Sequence, residues 1–166
     1  MTQTPKTTTR KPRTPKTKVK LPPNPFIHEI LELVDEQKTK AKKVSVLREY
    51  RDDSLTAILI WNFDDSVISA VPDGQVPYKE NEVPVGTDHT SLRREWKTLY
   101  HFVRGGNDKL NNLRRETMFV QLLEGLHPRE AEIVCLVKDK RLTDVYKITQ
   151  QQVEEAYPDI VWGDRS

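Results

Sequence analysis

The chain has 166 residues, 27 Lys and Arg against 25 Asp and Glu, and a formal net charge of +2. That length bounds one domain with a real core. No apolar run approaches the roughly 18 residues that cross a bilayer, the longest being AILIW at Ala57 to Trp61, and the single cysteine, Cys135, excludes an intrachain disulfide.

The first twenty residues hold seven cations and no acid, so the rest carries 20 cations against 25 acids. Thr-Pro-Lys-Thr occurs twice there, from Thr4 and from Thr14. Residues 1–23 have almost no large apolar side chains to offset the entropy of ordering. Pro5, Pro12, Pro15, Pro22 and Pro23 favour extended chain. The segment lacks the apolar core of a secretory signal and the amphipathic face of a mitochondrial one. It is expected to be a disordered basic tail. Lys6, Arg10, Lys11, Arg13, Lys16, Lys18 and Lys20 are its candidate contacts to DNA, since mobile cations release counterions from a polyanion without fixed geometry. The plainer reading is a solubilising extension.

The body, residues 24–162, is expected to be an all-α, compact bundle of about seven helices. Asn24-Pro25 suggests a cap followed by proline at the first helical position, and Phe26, Ile27, Ile30, Leu31 and Val34 then recur at helical spacing. Val44, Leu47 and Tyr50 share the inner face of a second helix. Asp53 is a candidate cap for a third, SLTAILIWNF, apolar all round and so central. Residues 72–88, PDGQVPYKENEVPVGTD, have no sustained period and form a long loop, with a short strand at 75–78 as a weak alternative. From Ser91, the residues Leu92, Trp96, Leu99, Tyr100 and Val103 form a helical stripe that Gly105-Gly106 ends. Asn107 or Asp108 is expected to cap the next helix, with Leu110, Leu113, Met118, Leu122 and Leu123 facing inward up to Gly125. His127-Pro128 opens another, with Ile133, Val134 and Val137 inward. Thr149 to Gln152 reads as a capping box for a last short helix, which stops at Tyr157-Pro158.

The sequence holds no catalytic constellation of a familiar kind. The chain has no phosphate loop with Lys-Ser/Thr, no HExxH, no CxxC and no G-x-S-x-G. His28, His89, His101 and His127 are scattered, so no structural metal site and no cofactor are expected. Cys135, within EIVCLV, reads as a small core residue. The pairs Asp52-Asp53, Asp64-Asp65 and Glu154-Glu155 are neighbours that point apart and read as caps and solvated faces. The tryptophans read as core and edge packing. The expectation is a protein that is not an enzyme.

The cations are more informative. Arg93, Arg94, Lys97, Arg104, Lys109, Arg114 and Arg115 face only Glu95 and Asp108 within their stretch, which brackets VRGGNDK. A glycine turn feeding a helix start offers free N–H groups and a positive dipole end to a phosphate. A second junction, VKDKRLTDVYKIT, brings Lys138, Lys140, Arg141 and Lys147 to the capped start at Thr149. The candidate DNA contacts of the body are therefore Arg104, Gly105, Gly106, Asn107, Lys109, Arg114, Lys138, Lys140, Arg141, Lys147 and Thr149. The plainer reading is ordinary charge at helix junctions.

EIVCLVKDKRL followed by YKITQQQVEEAYPDIV resembles the end of the N-terminal DNA-binding domain of T-even-phage-type ATP-dependent DNA ligases. Lys138-Asp139 stands for that family's Arg-Asp-Leu-like helix end. Val153, Tyr157-Pro158 and Ile160 stand for its closing short helix and aromatic-Pro. IHEILELVDEQKTKAKKVSVLREYRDDSLTAILIWNFDD is similar to its opening helices, and VRGGNDKLNNL to its Thr-Gly-Asn junction. The likeness runs from Pro25 to Trp162. Two features depart from the family. The turn DKRLTDVYK has no glycine, and the nucleotidyltransferase Lys-x-Asp-Gly is absent, with Val71 two residues before Asp73-Gly74. The chain also looks like a group of small proteins carried by T-even-like phages.

The resemblance implies an all-helical grip on duplex DNA, intact or nicked, through the backbone and with little base readout. It implies no catalysis, and a phage accessory role in replication, repair or transcription in the cytoplasm of the infected host cell. Two other readings stay open. One is an adaptor that recruits a phage or host replication or transcription protein. The other is a virion component. In both, the tail alone would touch DNA, and none of the three needs a membrane.

Overall fold

Helices form where apolar side chains recur, but caps and turns decide where each begins. The structure is a computed structural model and describes residues 21–84 and 89–165. Among the described residues seven α-helices follow in order: α1 (Ile27–Glu36), α2 (Lys40–Glu49), α3 (Asp53–Phe63), α4 (Leu92–Glu95), α5 (Asn112–Gly125), α6 (Pro128–Lys138) and α7 (Gln150–Ala156). Two 3-10 segments, Trp96–Phe102 and Leu142–Asp144, complete the order. The described residues hold no strand, only isolated bridges pairing Ser69 with Val103 and Thr90 with Leu126. The expected all-α class is correct. The strand weighed for 75–78 does not form.

α3 and α6 pack against each other at the centre. α1 and α5 lie against α6, and α2 bridges α1 and α7. Leu55, Ile58 and Leu59 of α3 meet Ile133, Val134 and Val137 of α6 in a fully buried core. Tyr157 is buried just after α7, and its hydroxyl donates to the carbonyl of Leu47. The expected inner residues of α1, α2 and α6 are therefore in place.

Several expected starts move. Asn24 is not the cap of α1. It sits at φ 53°, and Phe26 is the N-cap, its N–H donating to Glu29 Oε1 at 3.1 Å. Asp52, not Asp53, caps α3. Asn111, not Asn107 or Asp108, caps α5 by accepting the Leu113 N–H at 2.8 Å. The later start swings Leu113 outward to 73% exposure, and Arg115, Phe119, Leu122 and Leu123 take the inner row.

The stripe from Leu92 also changes. After one α-turn the chain tightens to three residues per turn, which aligns positions three apart. Trp96, Leu99 and Phe102 therefore turn inward, and Tyr100 is left 48% exposed. The two remaining starts hold. His127 caps α6 by accepting the Arg129 N–H, and Thr149 and Gln152 form both bonds of the capping box of α7.

The tail expectation falls, for residues 1–20, outside the described residues. Leu21 lies against the core and donates its N–H to the Tyr50 hydroxyl at 3.3 Å.

Candidate nucleic-acid interface

The first junction, from Val103 to Asn111, is held by its own side chains. Gly105 sits at φ 83°, a conformation that favours glycine, and its N–H donates to Asp108 Oδ1 at 2.9 Å. The Gly106 N–H donates to the Val103 carbonyl at 3.2 Å, and the Leu110 N–H to the Asn107 carbonyl at 3.2 Å. The Asn107 side chain bonds the His101 ring at 3.0 Å. Arg115 is 5% exposed and fills the inside of the turn. It donates to the carbonyls of His101 (2.9 Å), Asn107 (2.9 Å) and Leu110 (3.2 Å) and to Asn112 Oδ1 (2.7 Å). Of the free amides expected at Gly105, Gly106 and Asn107, those of Gly105 and Gly106 are thus committed internally.

The cations behave differently. Arg94, Lys97, Arg104, Lys109 and Arg114 are exposed, and among the described residues none has a carboxylate partner. The acids of the same stretch are engaged: Glu95 accepts from the Thr90 hydroxyl at 2.8 Å, and Asp108 from Gly105. The surface of the junction therefore keeps a positive surplus.

The second junction departs further from expectation. Lys138 is 2% exposed. Its amine donates to the carbonyls of Pro72 (2.8 Å) and Gly74 (3.1 Å) and to the Asp139 carboxylate. It is a fastener for the loop after α3, not a contact for DNA. Lys140, at φ 56°, turns its amine onto the carbonyls of Trp61 (2.7 Å) and Asp64 (2.9 Å) at the end of α3. A cation there answers the negative end of the helix. Burial lowers its pKa. Arg141 is exposed but pairs with Asp144 at 2.7 Å. Thr149 spends its hydroxyl on the Gln152 N–H. Of this junction's candidates, only Lys147 keeps a side chain that is exposed and has no recorded partner, while its N–H donates to Asp35 at 2.7 Å. Lys138, Lys140 and Thr149 therefore leave the candidate interface. The seven tail cations, Lys6 to Lys20, lie outside the described residues.

The segment after α3 joins both junctions. Ile68 accepts the Arg104 N–H at 2.8 Å, and Ala70 donates to Phe102 at 2.7 Å. Ser69 donates its hydroxyl to the Lys138 carbonyl at 2.6 Å and accepts the Trp61 indole N–H at 2.9 Å. Asp64 is 3% exposed rather than a solvated end. It accepts from Ser66 and Gly163 and pairs with Arg165 at 2.6 Å, and these bonds hold its pKa at about 2 against the opposing effect of burial.

Histidines far apart in sequence meet in space. His28 and His127 stack with ring centres 4.7 Å apart, Phe26 lies 5.4 Å from His127, and His89 lies 5.9 Å from it. Below them Glu130, fully buried, accepts the N–H groups of Ile27 and Leu92, each at 3.1 Å, so that one carboxylate holds the starts of α1 and α4. Burial raises its pKa. Among the described residues no group of three His, Cys, Asp or Glu side chains is arranged to hold a metal ion. Cys135 is half-buried against the core, and burial pushes its thiol up to about 11.

The family described as "Family of unknown function (DUF6433)" matches residues 30–144. The chain belongs to this family. The DUF6433 span runs from α1 into the second 3-10 segment, and so covers the first junction and the segment after α3. Lys147, Thr149 and the tail lie beyond it. No curated protein and no solved structure matches the chain. No helix among the described residues is long and apolar enough to cross a membrane.

Proposed function

We propose that the chain is a non-catalytic DNA-binding protein that grips the duplex backbone with little sequence preference, as the ligase resemblance implies. The observation that carries this reading is the run of exposed cations from Arg94 to Arg114 that no described carboxylate neutralises. Such a run contacts phosphates as point charges and carries no base readout. Arg104, Lys109 and Arg114 supply the body's contact, Lys147 is a further exposed cation, and the tail adds a tethered second contact. The role is accessory to phage replication, repair or transcription in the infected host cell.

A second reading is favoured by the internally bonded Gly105 and Gly106 amides and the acidic balance of the body. There the helical domain is an adaptor and only the tail touches DNA. Binding to labelled intact and nicked duplexes across a salt series separates the two. The variants are Arg104→Glu/Lys109→Glu/Arg114→Glu and a full chain with its seven tail cations changed to Gln. In the first reading the triple variant weakens binding to all sequences alike and lowers the salt slope by roughly 2 to 3. Unchanged binding by the triple variant, with loss in the tail variant, transfers the assignment to the adaptor.

A further inference from the structure

A second surface lies beside the basic junction and is unlike it. Between α3 and the first 3-10 segment runs a cleft of about 250 Å³. Ile60, Trp61 and Val67 line one side, and Trp96, Tyr100 and Val103 the other. Lys97 is the one charged side chain lining it, its amine 5.8 Å from the centre of the Trp96 ring. Ile68, next to Val67, is 40% exposed and Tyr100 is 48% exposed. The Tyr100 ring is backed by His101 at 4.0 Å. Arg104 follows Val103 directly, and Arg94 precedes Lys97 by one turn.

Size, lining and charge select the occupant. The volume falls below the ~300 Å³ at which small-molecule sites begin, yet takes one aromatic or branched side chain. The lining is mainly apolar: the Trp61 indole N–H is donated to Ser69, and the polar groups left on it are those of Trp96, Lys97 and Tyr100. An apolar side chain loses nothing, and a central apolar anchor within a charged rim is how strong protein contacts are built. The cations beside the cleft complement carboxylates. We infer that this cleft docks an acidic segment of a partner protein through one large apolar anchor residue. The cleft shares the cations Arg94, Lys97 and Arg104 with the proposed DNA grip, but its apolar lining takes no part in that grip, and the inference stands if the grip fails.

The test is selection of a random peptide library on the full chain, with tryptophan fluorescence as the readout for individual peptides. Enriched sequences should pair Phe, Leu, Trp or Met with neighbouring Asp or Glu. Their affinity should fall tenfold or more in Tyr100→Ala, and by a similar factor in Ala57→Phe, which fills the cleft from α3 without removing its walls. Lys97→Glu should select against the acidic peptides in particular. Circular dichroism on each variant confirms that it folds. Absence of enrichment overturns the inference, as do peptides that bind all three variants equally. Self-association lost in Tyr100→Ala would instead make a second copy the occupant. Quenching by single-stranded oligonucleotides, without peptide binding, would assign the cleft to nucleic acid.

Discussion

The Nε of Arg115 donates to the backbone carbonyl of His101 at 2.9 Å, across fourteen residues of chain. The same guanidinium reaches Asn107, Leu110 and Asn112, so a buried cation sets the shape of the loop whose outer cations are proposed to meet DNA. Geometry, not charge, is what this position needs. Arg115→Lys keeps the charge but loses the planar fork, and leaves carbonyls without donors. We expect a loss of about 2 kcal/mol in urea unfolding. Hydrogen exchange should also quicken across residues 104–112 in the variant. Wild-type exchange there would remove Arg115 from this role.

Gly106 answers to the same loop. A Cβ at that position would meet the carbonyl of Tyr100 well inside van der Waals contact. The glycine serves close packing, not phosphate approach. Gly106→Ala should destabilise by about 2 kcal/mol, the scale of overpacking. It should weaken DNA binding no further than its folded fraction falls, which a titration at matched folded concentration checks.

Lys138 gives a sharper contrast between charge and contact. Its amine is closed off by Pro72, Gly74 and Asp139, with no side-chain surface in water. Lys138→Met keeps the stem and removes the charge, leaving Asp139 and two carbonyls unpaired. The expected cost is about 3 kcal/mol. The salt slope of DNA binding should not change, whereas an exposed phosphate contact would lower it by about 1.

These residues show what could be read from sequence and what could not. The capping box at Thr149 and the His127-Pro128 start were legible because their chemistry closes within three residues. The apolar periods of α1, α3 and α6 were legible because those helices bury one face or all of it. The carbonyls that hold Lys138 lie 64 and 66 residues away, and those that hold Lys140 lie 76 and 79 away, so no local pattern separates them from exposed lysines. A helical period also misplaces the stretch from Trp96, because a 3-10 turn carries Phe102 inward in place of Tyr100. The meeting of His28, His89 and His127 depends on three separate elements. Its one sequence signal was His127 before Pro128, which marks a cap rather than a cluster.

That cluster makes stability depend on pH. His28 is buried against His127, and burial is the main cause that lowers its pKa to about 4, with His127 and Arg129 acting the same way and Glu29 opposing them. His127 is itself lowered, mainly by burial and then by His89 and Arg129. A histidine whose folded pKa is depressed binds its proton more readily when unfolded. Its contribution is therefore complete above the unfolded value near 6.5 and is lost as pH falls toward 4. The loss from His28 is on the order of 3 kcal/mol across that window. Protonation of His127 at Nδ1 would also remove the acceptor that caps α6. Glu130 runs the other way, since its raised pKa favours the folded state on acidification. The midpoint of thermal unfolding should fall between pH 7 and pH 4, and His28→Phe, which keeps a stacking ring without a titrating nitrogen, should flatten that fall by more than half. An unchanged slope in the variant would place the acid sensitivity on His127 or on the paired carboxylates instead.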